Sequence, residues 1–285
     1  MKLSIIIPAH NEAETIGPLV AELAGRFPDA ELFVVDDASS DETAAVAAAA
    51  GATVLSNPYR LGNGASVKRG ARAATGDLYV FLDADGQHRP EHITRLLAPL
   101  EDGYAMVVGA RQPASQSSRL RWFGNSFYNK AASLLSGHPV LDLTSGFRAV
   151  RADLFRRFLY LLPNGFSYPT TITMAFLRSG FPVKFVYVDV SRSRGKSHIR
   201  PVRDGVRFLL IIFKMVTLYS PMKLFFPVSI AFLLTAAFYY SYTYITVNRF
   251  TNMGAALLIA SVIVFMMGLV SEQLTALMYR DTDKD

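Results

Sequence analysis

Short apolar runs alternate with polar loops over residues 1–200, and this pattern changes after Phe208. In the first part, runs such as Leu3–Ile7 and Glu31–Val35 are separated by segments with the apolar spacing of helices. Continuous apolar runs are typical of strands that are buried on both faces. Their alternation with helices predicts an α/β fold, with a mainly parallel sheet covered by helices on both faces.

The expected strands are Leu3–Ile7, Glu31–Val35, Thr53–Leu55, Asp77–Leu82 and Ala105–Val108. The expected helices run from an Asn11/Glu14 capping box to about Gly25, from a Ser40 or Asp41 cap to before Gly51, from about Ala65 to Ala74, and from Pro90 to Leu100. In such sheets, ligands bind beyond the carboxyl ends of the strands. Polar residues follow three of these ends, namely Asn11-Glu12, Asp36-Asp37 and Asp83-Ala84-Asp85.

Two long uncharged stretches follow Phe208. Leu224–Val247 carries no charge over 24 residues. A helix of that length measures about 36 Å, which exceeds the roughly 30 Å of a hydrocarbon core. Gly254–Val270 is also uncharged and can continue beyond Glu272. The pattern predicts a transmembrane hairpin with spans at about 224–247 and 254–278, so that both chain ends lie on one side.

Basic residues are concentrated before the first of these stretches. They are Lys184, Arg192, Arg194, Lys196, Arg200, Arg203, Arg207, Lys214 and Lys223. The loop between the stretches carries a single cation, Arg249. Because short cytoplasmic flanks are rich in Lys and Arg, the N-terminal domain and both termini are expected to be cytoplasmic. Apolar spacing in residues 201–222 predicts an interfacial amphipathic helix, which gives three parts: 1–200, 201–222 and 223–285.

Composition narrows the class of protein. The 285 residues are 51% hydrophobic and include no cysteine. That apolar content excludes a disordered chain, and the lack of cysteine excludes a disulfide scaffold, thiol catalysis and cysteine-ligated zinc. The formal net charge of +6 indicates an anionic partner: nucleic acid, lipid head groups or a phosphorylated substrate. Because the cations lie beside the predicted spans, membrane lipids and phosphates are favoured and nucleic acid is not.

The pair Asp83 and Asp85 is the most informative chemical motif. Two carboxylates leaving a buried strand would repel one another, so a divalent cation or a strong basic neighbour is expected. Oxygen ligands favour Mg²⁺ or Mn²⁺ bound together with substrate phosphates. A dinucleotide site is disfavoured, because Gly62-Asn63-Gly64 does not follow the first strand and Val67 replaces the third glycine.

Several motifs together resemble the inverting family 2 glycosyltransferases, which have a GT-A fold. They are Pro8-Ala9-His10-Asn11-Glu12, Val34 to Ser39, Leu82 to Glu91, Asp142 to Arg148 and Arg192 to His198. Within that family, the chain is similar to the dolichyl- and polyprenyl-phosphate sugar synthases. It departs from the pattern in having His10 at a position where tyrosine is common, and His198 where lysine often follows Ser197.

The resemblance implies roles for individual residues. The nucleotide-sugar would be held by Pro8, His10, Glu12, Val35, Asp37, Asp83, Ala84 and Asp85. The metal, Mg²⁺ or Mn²⁺, would be held by Asp83, Asp85 and Gln87, and catalysis would depend on Asp85, Arg111 and Arg192. A lipid phosphate also needs polar and cationic side chains near the membrane, and the candidates are Arg119, Arg121, Asn125, Ser126, Arg194 and Ser197.

The expected reaction is inverting, metal-dependent transfer of a sugar from GDP-mannose or a UDP-hexose to polyprenyl or dolichyl phosphate at the cytoplasmic membrane face. A phosphate acceptor is already ionised at neutral pH, so it requires no strong general base. Two alternatives stay open: a processive polysaccharide synthase and a non-catalytic binder of nucleotide-sugar or lipid phosphate. The processive synthases usually carry a Gln-x-x-Arg-Trp motif. Here Gln116-Ser117-Ser118-Arg119 is followed by Leu120 instead of tryptophan, which disfavours that alternative. Assembly as a homo-oligomer is compatible with the sequence.

Overall fold

The computed structural model describes residues 1–112, 119–165, 167–190, 219–249 and 251–280, together with 213, 216 and 217. In 119–125 and at 247 the description covers the backbone and not the side chains. The chain divides into two compact units, Met1–Ile199 and Arg200–Asp285.

The first unit is built on a seven-stranded sheet with the strand order β3-β2-β1-β4-β6-β5-β7. The strands are β1 (Leu3–Ala9), β2 (Glu31–Asp36), β3 (Thr53–Ser56), β4 (Leu78–Phe81), β5 (Met106–Arg111), β6 (Arg148–Arg151) and β7 (Val183–Val188). The helices are α1 (Ala13–Arg26), α2 (Thr43–Ala49), α3 (Asn63–Ala73), α4 (Ile93–Glu101), α5 (Arg119–Ser136), α6 (Ala152–Arg157) and α7 (Tyr168–Arg178), with a 3₁₀ turn at Pro90–His92.

The predicted α/β class is confirmed, and each of the five expected strands is present. Four of the six neighbouring pairs in the sheet are parallel, while β6 runs antiparallel to both β4 and β5. Strands β6 and β7 were not expected. The sheet is therefore mixed, because β6 inserts between two strands that would otherwise be neighbours.

Apolar side chains from the middle of the strands form the core. Ile5, Ile7, Val34, Val80 and Val107 have no exposed surface and pack in one cluster. Full burial of such a side chain contributes roughly 1.5–3 kcal/mol. The central strands are thus held rigidly, and the polar residues at their carboxyl ends are held with them.

The predicted capping box at Asn11 is wrong. Helix α1 begins at Ala13 with no side-chain cap, and Asn11 has a left-handed backbone with φ of 57°. Its side-chain oxygen accepts hydrogen bonds from the Ser40 backbone N–H, at 2.8 Å, and from the Ser40 hydroxyl. Asn11 therefore ties the loop after β1 to the loop after β2, across the end of the sheet where ligands bind.

The second unit contains two long apolar helices, α8 (Met222–Val247) and α9 (Asn252–Tyr279). Both are long and apolar enough to cross a membrane, and most of their side chains face outward. They pack closely: the Ser261 hydroxyl donates to the Ser229 carbonyl at 2.9 Å, and a Cβ at Gly268 would lie 2.7 Å from the Phe225 Cβ. Small residues of this kind allow membrane helices to approach.

These two helices match the predicted spans to within a few residues. Glu272, the acidic residue near the end of α9, accepts a hydrogen bond from the Met222 backbone N–H at 3.2 Å. That N–H belongs to the first turn of α8, where backbone donors lack partners within their own helix. The predicted interfacial helix, residues 201–222, lies largely outside the described residues.

Candidate active site

A cleft of about 420 Å³ opens at the carboxyl ends of β1, β2 and β4. It is lined by Pro8, Ala9, His10, Glu12, Asp37, Arg60, Gly62, Asn63, Ser66, Asp83, Ala84, Asp85, Thr144, Gly146, Gly165, Tyr168 and Pro169. The polar residues that follow three strand ends in the sequence thus lie around one cavity.

Every residue expected to hold the nucleotide-sugar lines this cleft except Val35. Val35 has no exposed surface and lies within β2, paired with Pro8 on one side and Leu55 on the other. Its side chain belongs to the core. The structure therefore brings together the predicted residues that follow the strands, but not this residue inside one.

Asp37 is buried and shapes the wall of the cleft. Its Oδ1 accepts hydrogen bonds from the Asn57 side chain and the Leu61 backbone N–H, and its Oδ2 accepts one from the Gly62 N–H, each at 2.8 Å. The Asp37 carbonyl lies 2.9 Å from Nδ1 of His10. Because a carbonyl oxygen only accepts, this contact places the proton of neutral His10 on Nδ1 and leaves Nε2 as an acceptor.

The glycine-rich turn Gly62-Asn63-Gly64 forms another wall. Gly62 has a φ of 99°, and a Cβ there would lie 2.6 Å from the Asn164 carbonyl oxygen. Only glycine fits both the left-handed backbone and this close approach. The sequence pattern correctly indicated that this turn does not form a dinucleotide site. It did not predict that the turn packs against residues 163–165, because that contact joins segments far apart in the sequence.

The carboxylates of Asp83 and Asp85 both face the cleft. Burial, together with the negative charge of Asp85, raises the pKa of Asp83 to about 6, although Asn63 and nearby arginines act in the opposite direction. Burial also raises the pKa of Glu12, and Asp85 contributes to that shift. The cleft therefore concentrates negative charge at one end, as the sequence pattern predicted.

These residues fit a divalent cation. Within the described residues, Glu12, Asp83 and Asp85 form no ion pair with Lys or Arg. The side-chain oxygen of Asn63 is buried without a hydrogen-bond partner, and its amide bonds to Asp83. Described His, Asp and Glu side chains do not form a group of three around a common point, so substrate oxygens would have to complete the coordination. Gln87 lies beside Asp85 and hydrogen-bonds to its carboxylate through its own amide.

Mn²⁺ binding should weaken as the pH falls through about 6. Protonation of Asp83, whose pKa is raised to about 6, removes the charge that a cation requires. Titration of Mn²⁺ into the protein across a series of pH values measures this. Asp83→Asn should bind weakly at every pH and show no step near 6. A wild-type affinity that does not change between pH 7.5 and 5 would contradict the assignment.

Arg111 is held by Asp142 at the edge of the site. Its Nε and Nη2 donate to the two carboxylate oxygens of Asp142, at 2.7 and 3.0 Å, and Nη2 also donates to the Thr144 hydroxyl. Burial alone would raise the pKa of Asp142. The hydrogen bonds and positive charge of Arg111 together outweigh burial, so the pKa of Asp142 is lowered overall. This two-point contact fixes the guanidinium plane. Arg111 was predicted to take part in catalysis; it lies beside the cleft without lining it.

Asp142→Asn should lower the free energy of unfolding by about 2 kcal/mol, because it removes the charge that pairs with a mostly buried arginine. It should also lower the rate of the sugar transfer expected from the sequence, because it releases Arg111. Thermal unfolding and steady-state kinetics of the purified protein measure the two effects. Asp153→Asn is the matched control, since Asp153 pairs with Arg151 at 3.7 Å on the surface and should change stability by less than about 0.5 kcal/mol. Equal effects of the two variants would argue against a special role for the Arg111 contact.

Arg148 was quoted in a motif but received no role from the sequence. It is fully buried, and its guanidinium donates to the Ser145 and Pro169 carbonyls and to the Thr173 hydroxyl. It therefore joins the loop before β6 to the start of α7, and both segments line the cleft. A buried arginine in a strand gives no clear signal in an apolar pattern, which explains why β6 was missed.

His88 and His92 lie in the segment between β4 and α4, and both are buried. They are 7% and 6% exposed, respectively. The His88 ring stacks on Phe147 with centroids 4.8 Å apart. Burial lowers the pKa of His88 to about 4, so it is neutral at physiological pH.

The predicted acceptor-phosphate residues belong to two segments of the chain: helix α5 and the residues that follow β7 in the sequence. Arg194 and Ser197 fall outside the described residues, as does Arg192, which was predicted to be catalytic. Arg119, Arg121 and Asn125 belong to α5, but their side chains are not described, whereas Ser126 is exposed on the same helix.

Comparison with known protein families identifies the chain. The family described as glycosyl transferase family 2 matches residues 4–159, which is more than half of the sequence. The chain belongs to glycosyl transferase family 2. A second family, described as the GtrB C-terminal hairpin, matches residues 220–277 of this glycosyltransferase, the region of α8 and α9.

Curated relatives are similar over most of the chain. Glycosyltransferase AglJ of Haloferax volcanii is 30% identical over 81% of this chain and 77% of its own length. Undecaprenyl-phosphate mannosyltransferase of Micrococcus luteus is 31% identical over 68% of this chain and 87% of its own. The chain spans only about half, 51%, of undecaprenyl-phosphate 4-deoxy-4-formamido-L-arabinose transferase from Enterobacter sp., which is 33% identical.

Solved structures establish the fold of the glycosyltransferase. Glucosyl-3-phosphoglycerate synthase from Mycobacterium tuberculosis, solved with Mn²⁺, UDP and glucosyl-3-phosphoglycerate, has a TM-score of 0.60 at 24% identity. The match covers 75% of this chain and 78% of that one. The predicted GT-A fold is confirmed.

Proposed function

We propose that this glycosyltransferase transfers a hexose from a nucleotide-sugar, GDP-mannose or a UDP-hexose, to polyprenyl or dolichyl phosphate. Transfer is inverting, uses Mg²⁺ or Mn²⁺, and takes place at the cytoplasmic face of the membrane. The observation that carries the proposal is the convergence of Asp83 and Asp85 in one cleft, with Arg111 held beside it.

In the proposed reaction, an oxygen of the acceptor phosphate forms a bond to the anomeric carbon from the face opposite the leaving group. The bond from that carbon to the donor diphosphate breaks, and the nucleoside diphosphate leaves with the electron pair. Mg²⁺ or Mn²⁺, when bound, neutralises charge on the diphosphate. Asp83, Asp85 and Gln87 would hold the metal, and Arg111, fixed by Asp142, would add positive charge near the leaving group.

The lipid acceptor is supported by two independent observations. Relatives from Micrococcus luteus and Pyrococcus furiosus are named as undecaprenyl-phosphate and dolichol-phosphate mannosyltransferases. The chain also carries two helices long and apolar enough to cross a membrane, within a segment that matches a family of C-terminal hairpins. An enzyme anchored in this way is able to reach an acceptor that lies in the same bilayer.

The proposal is tested by asking whether nucleoside diphosphate release depends on the lipid. Purified full-length protein is mixed with Mn²⁺ and either GDP-mannose, UDP-glucose or UDP-N-acetylglucosamine, with and without polyprenyl phosphate. Release with one donor should require polyprenyl phosphate and should not occur with the uncharged polyprenol. Equal release with and without the lipid phosphate, for every donor, would overturn the acceptor assignment.

The membrane orientation can be tested because the chain contains no cysteine. Arg249→Cys places a single thiol in the loop between α8 and α9, and Asp29→Cys places one on the exposed surface of the first unit. In intact cells, a membrane-impermeant maleimide should label position 249, and should label position 29 only after permeabilisation. Labelling of position 29 in intact cells would contradict the proposed topology and indicate the opposite orientation.

A further inference from the structure

Arg148 carries a positive charge inside the first unit. It is fully buried, and no carboxylate of the described residues lies within ion-pair distance of it. Its Nε is buried and has no hydrogen-bond acceptor among those residues. Burying an unpaired charge and an unsatisfied donor is costly, and an apolar side chain of similar size would avoid the cost. The cation at this position therefore needs an explanation.

The sheet places Arg148 close to Asp83. Arg148 begins β6 and is paired with Phe81, the last residue of β4, on one side and with Val108 of β5 on the other. Asp83 follows Phe81 by two residues. Burial lowers the pKa of Arg148, and the charges of neighbouring groups, Asp83 among them, act in the opposite direction. The cation therefore lies at the cleft end of the sheet, next to the acidic residues.

The guanidinium of Arg148 connects two walls of the cleft. Its Nη2 donates to the Ser145 carbonyl, and its Nη1 donates to the Pro169 carbonyl at 3.1 Å and to the Thr173 hydroxyl at 3.2 Å. Pro169 lines the cleft, and so does Gly146, which follows Ser145. Because the donors of a guanidinium have a fixed planar geometry, these bonds set the separation of the two segments.

The position of Gly146 in turn limits the Asp83 carboxylate. Gly146 approaches it so closely that a Cβ would lie 2.8 Å from Oδ2 of Asp83. The Asn63 side chain hydrogen-bonds to the same carboxylate. Asp83 is thus confined between Asn63 and Gly146, and a shift of Gly146 becomes a shift of a proposed ligand of Mg²⁺ or Mn²⁺.

We propose that Arg148 is a positioning residue for sugar transfer: it holds Gly146 against Asp83 and so keeps this carboxylate where it binds the cation. Arg148 itself does not line the cleft, so it acts through Gly146 and not on the substrates. The inference rests on the proposed function for the reaction, whereas the effect of Arg148 on cation binding can be measured without transfer.

A double-mutant cycle on Mn²⁺ affinity tests this role. Arg148→Lys keeps the charge but loses the planar fork, so it should weaken Mn²⁺ binding by about 10-fold and lower the rate of transfer by at least about that factor. Since Gly146→Ala displaces the same carboxylate, the double variant should lose little more affinity than the more damaging single variant. Purified full-length proteins are titrated with Mn²⁺ at saturating UDP and, separately, GDP, and their thermal unfolding is recorded.

Arg156→Lys is the control, matched in its contacts. Arg156 also donates to a backbone carbonyl, at 2.5 Å, and its Cζ lies 5.4 Å from the centre of the Tyr79 ring. The corresponding distance from Arg148 to the Tyr168 ring is 5.7 Å. Arg156 does not line the cleft. Its replacement should therefore leave Mn²⁺ affinity unchanged, both alone and combined with Gly146→Ala.

Three outcomes would overturn the proposal: full Mn²⁺ affinity in Arg148→Lys; losses that multiply in the double variant, which means that Arg148 and Gly146 act on different groups; and an equal loss in Arg156→Lys, which means a general effect on stability. If Arg148→Lys does not fold, Thr173→Val removes one acceptor of its guanidinium at nearly unchanged volume. That variant should show a smaller loss of Mn²⁺ affinity, and no loss would overturn the proposal. Transfer from no donor, with the cycle as expected, would instead overturn the proposed function.

Discussion

Replacing Asp85 with asparagine should lower the rate of sugar transfer by more than about 100-fold while leaving the fold intact. Asparagine has the same size and can still accept the hydrogen bond that the Gln87 backbone N–H donates to Oδ1 of Asp85 at 3.0 Å. It lacks the negative charge, so the cation that would bind the donor diphosphate loses a ligand. Steady-state transfer and Mn²⁺ titration of the purified variant measure both consequences.

The matched control for this variant is Asp29→Asn. Asp29 is an exposed carboxylate in the turn before β2, away from the cleft, so its replacement should change neither the rate nor Mn²⁺ affinity. Thermal unfolding should be similar for both variants and the wild type. A fully active Asp85→Asn enzyme would remove this residue from the catalytic site.

Gly146→Ala should also be strongly damaging, with a loss of transfer of about 100-fold. A Cβ at this position would lie 2.8 Å from Oδ2 and 3.1 Å from Oδ1 of Asp83, so the carboxylate must move. Displacement of a positioned group by about 1 Å can cost a factor of this size. The variant should also bind Mn²⁺ more weakly, which separates an effect on Asp83 from a general loss of folding.

Gly25→Ala is the control for the effect of adding a methyl group. Gly25 lies near the end of α1, and a Cβ there would meet no atom within 4 Å. This variant should retain full activity and raise the free energy of unfolding by up to about 1 kcal/mol, because alanine favours a helix over glycine. If Gly146→Ala behaved in the same way, the close contact with Asp83 would have no functional consequence.

The parallel half of the fold was predictable because its strands are continuous apolar runs between helical segments. Ile5, Val34 and Val80 are central to such runs, and all three are fully buried. The missed strands carry other patterns: β6 includes the buried Arg148, and β7 carries Lys184 and half-exposed side chains. Their places in the sheet depend on tertiary pairing, which short-range spacing does not encode.

The candidate site was predictable to the extent that it follows strand ends. Glu12, Asp37, Asp83 and Asp85 were identified because polar residues directly after buried strands meet at one edge of a parallel sheet. Asn63, Gly146 and Tyr168 reach the same cleft from segments far apart in sequence. Nothing in their local pattern distinguishes them from ordinary turn or core residues, and only the fold brings them beside Asp83.

The most direct test of the proposed function follows the sugar itself. Membranes containing the full-length protein are incubated with each radiolabelled nucleotide-sugar, Mn²⁺ and polyprenyl phosphate, and the product is partitioned between water and organic solvent. With one donor, label should enter the organic phase as a glycolipid that mild acid hydrolyses, and Asp85→Asn membranes should yield none. Label found only in a water-soluble polymer, or no lipid product with any donor, would contradict transfer to a lipid phosphate.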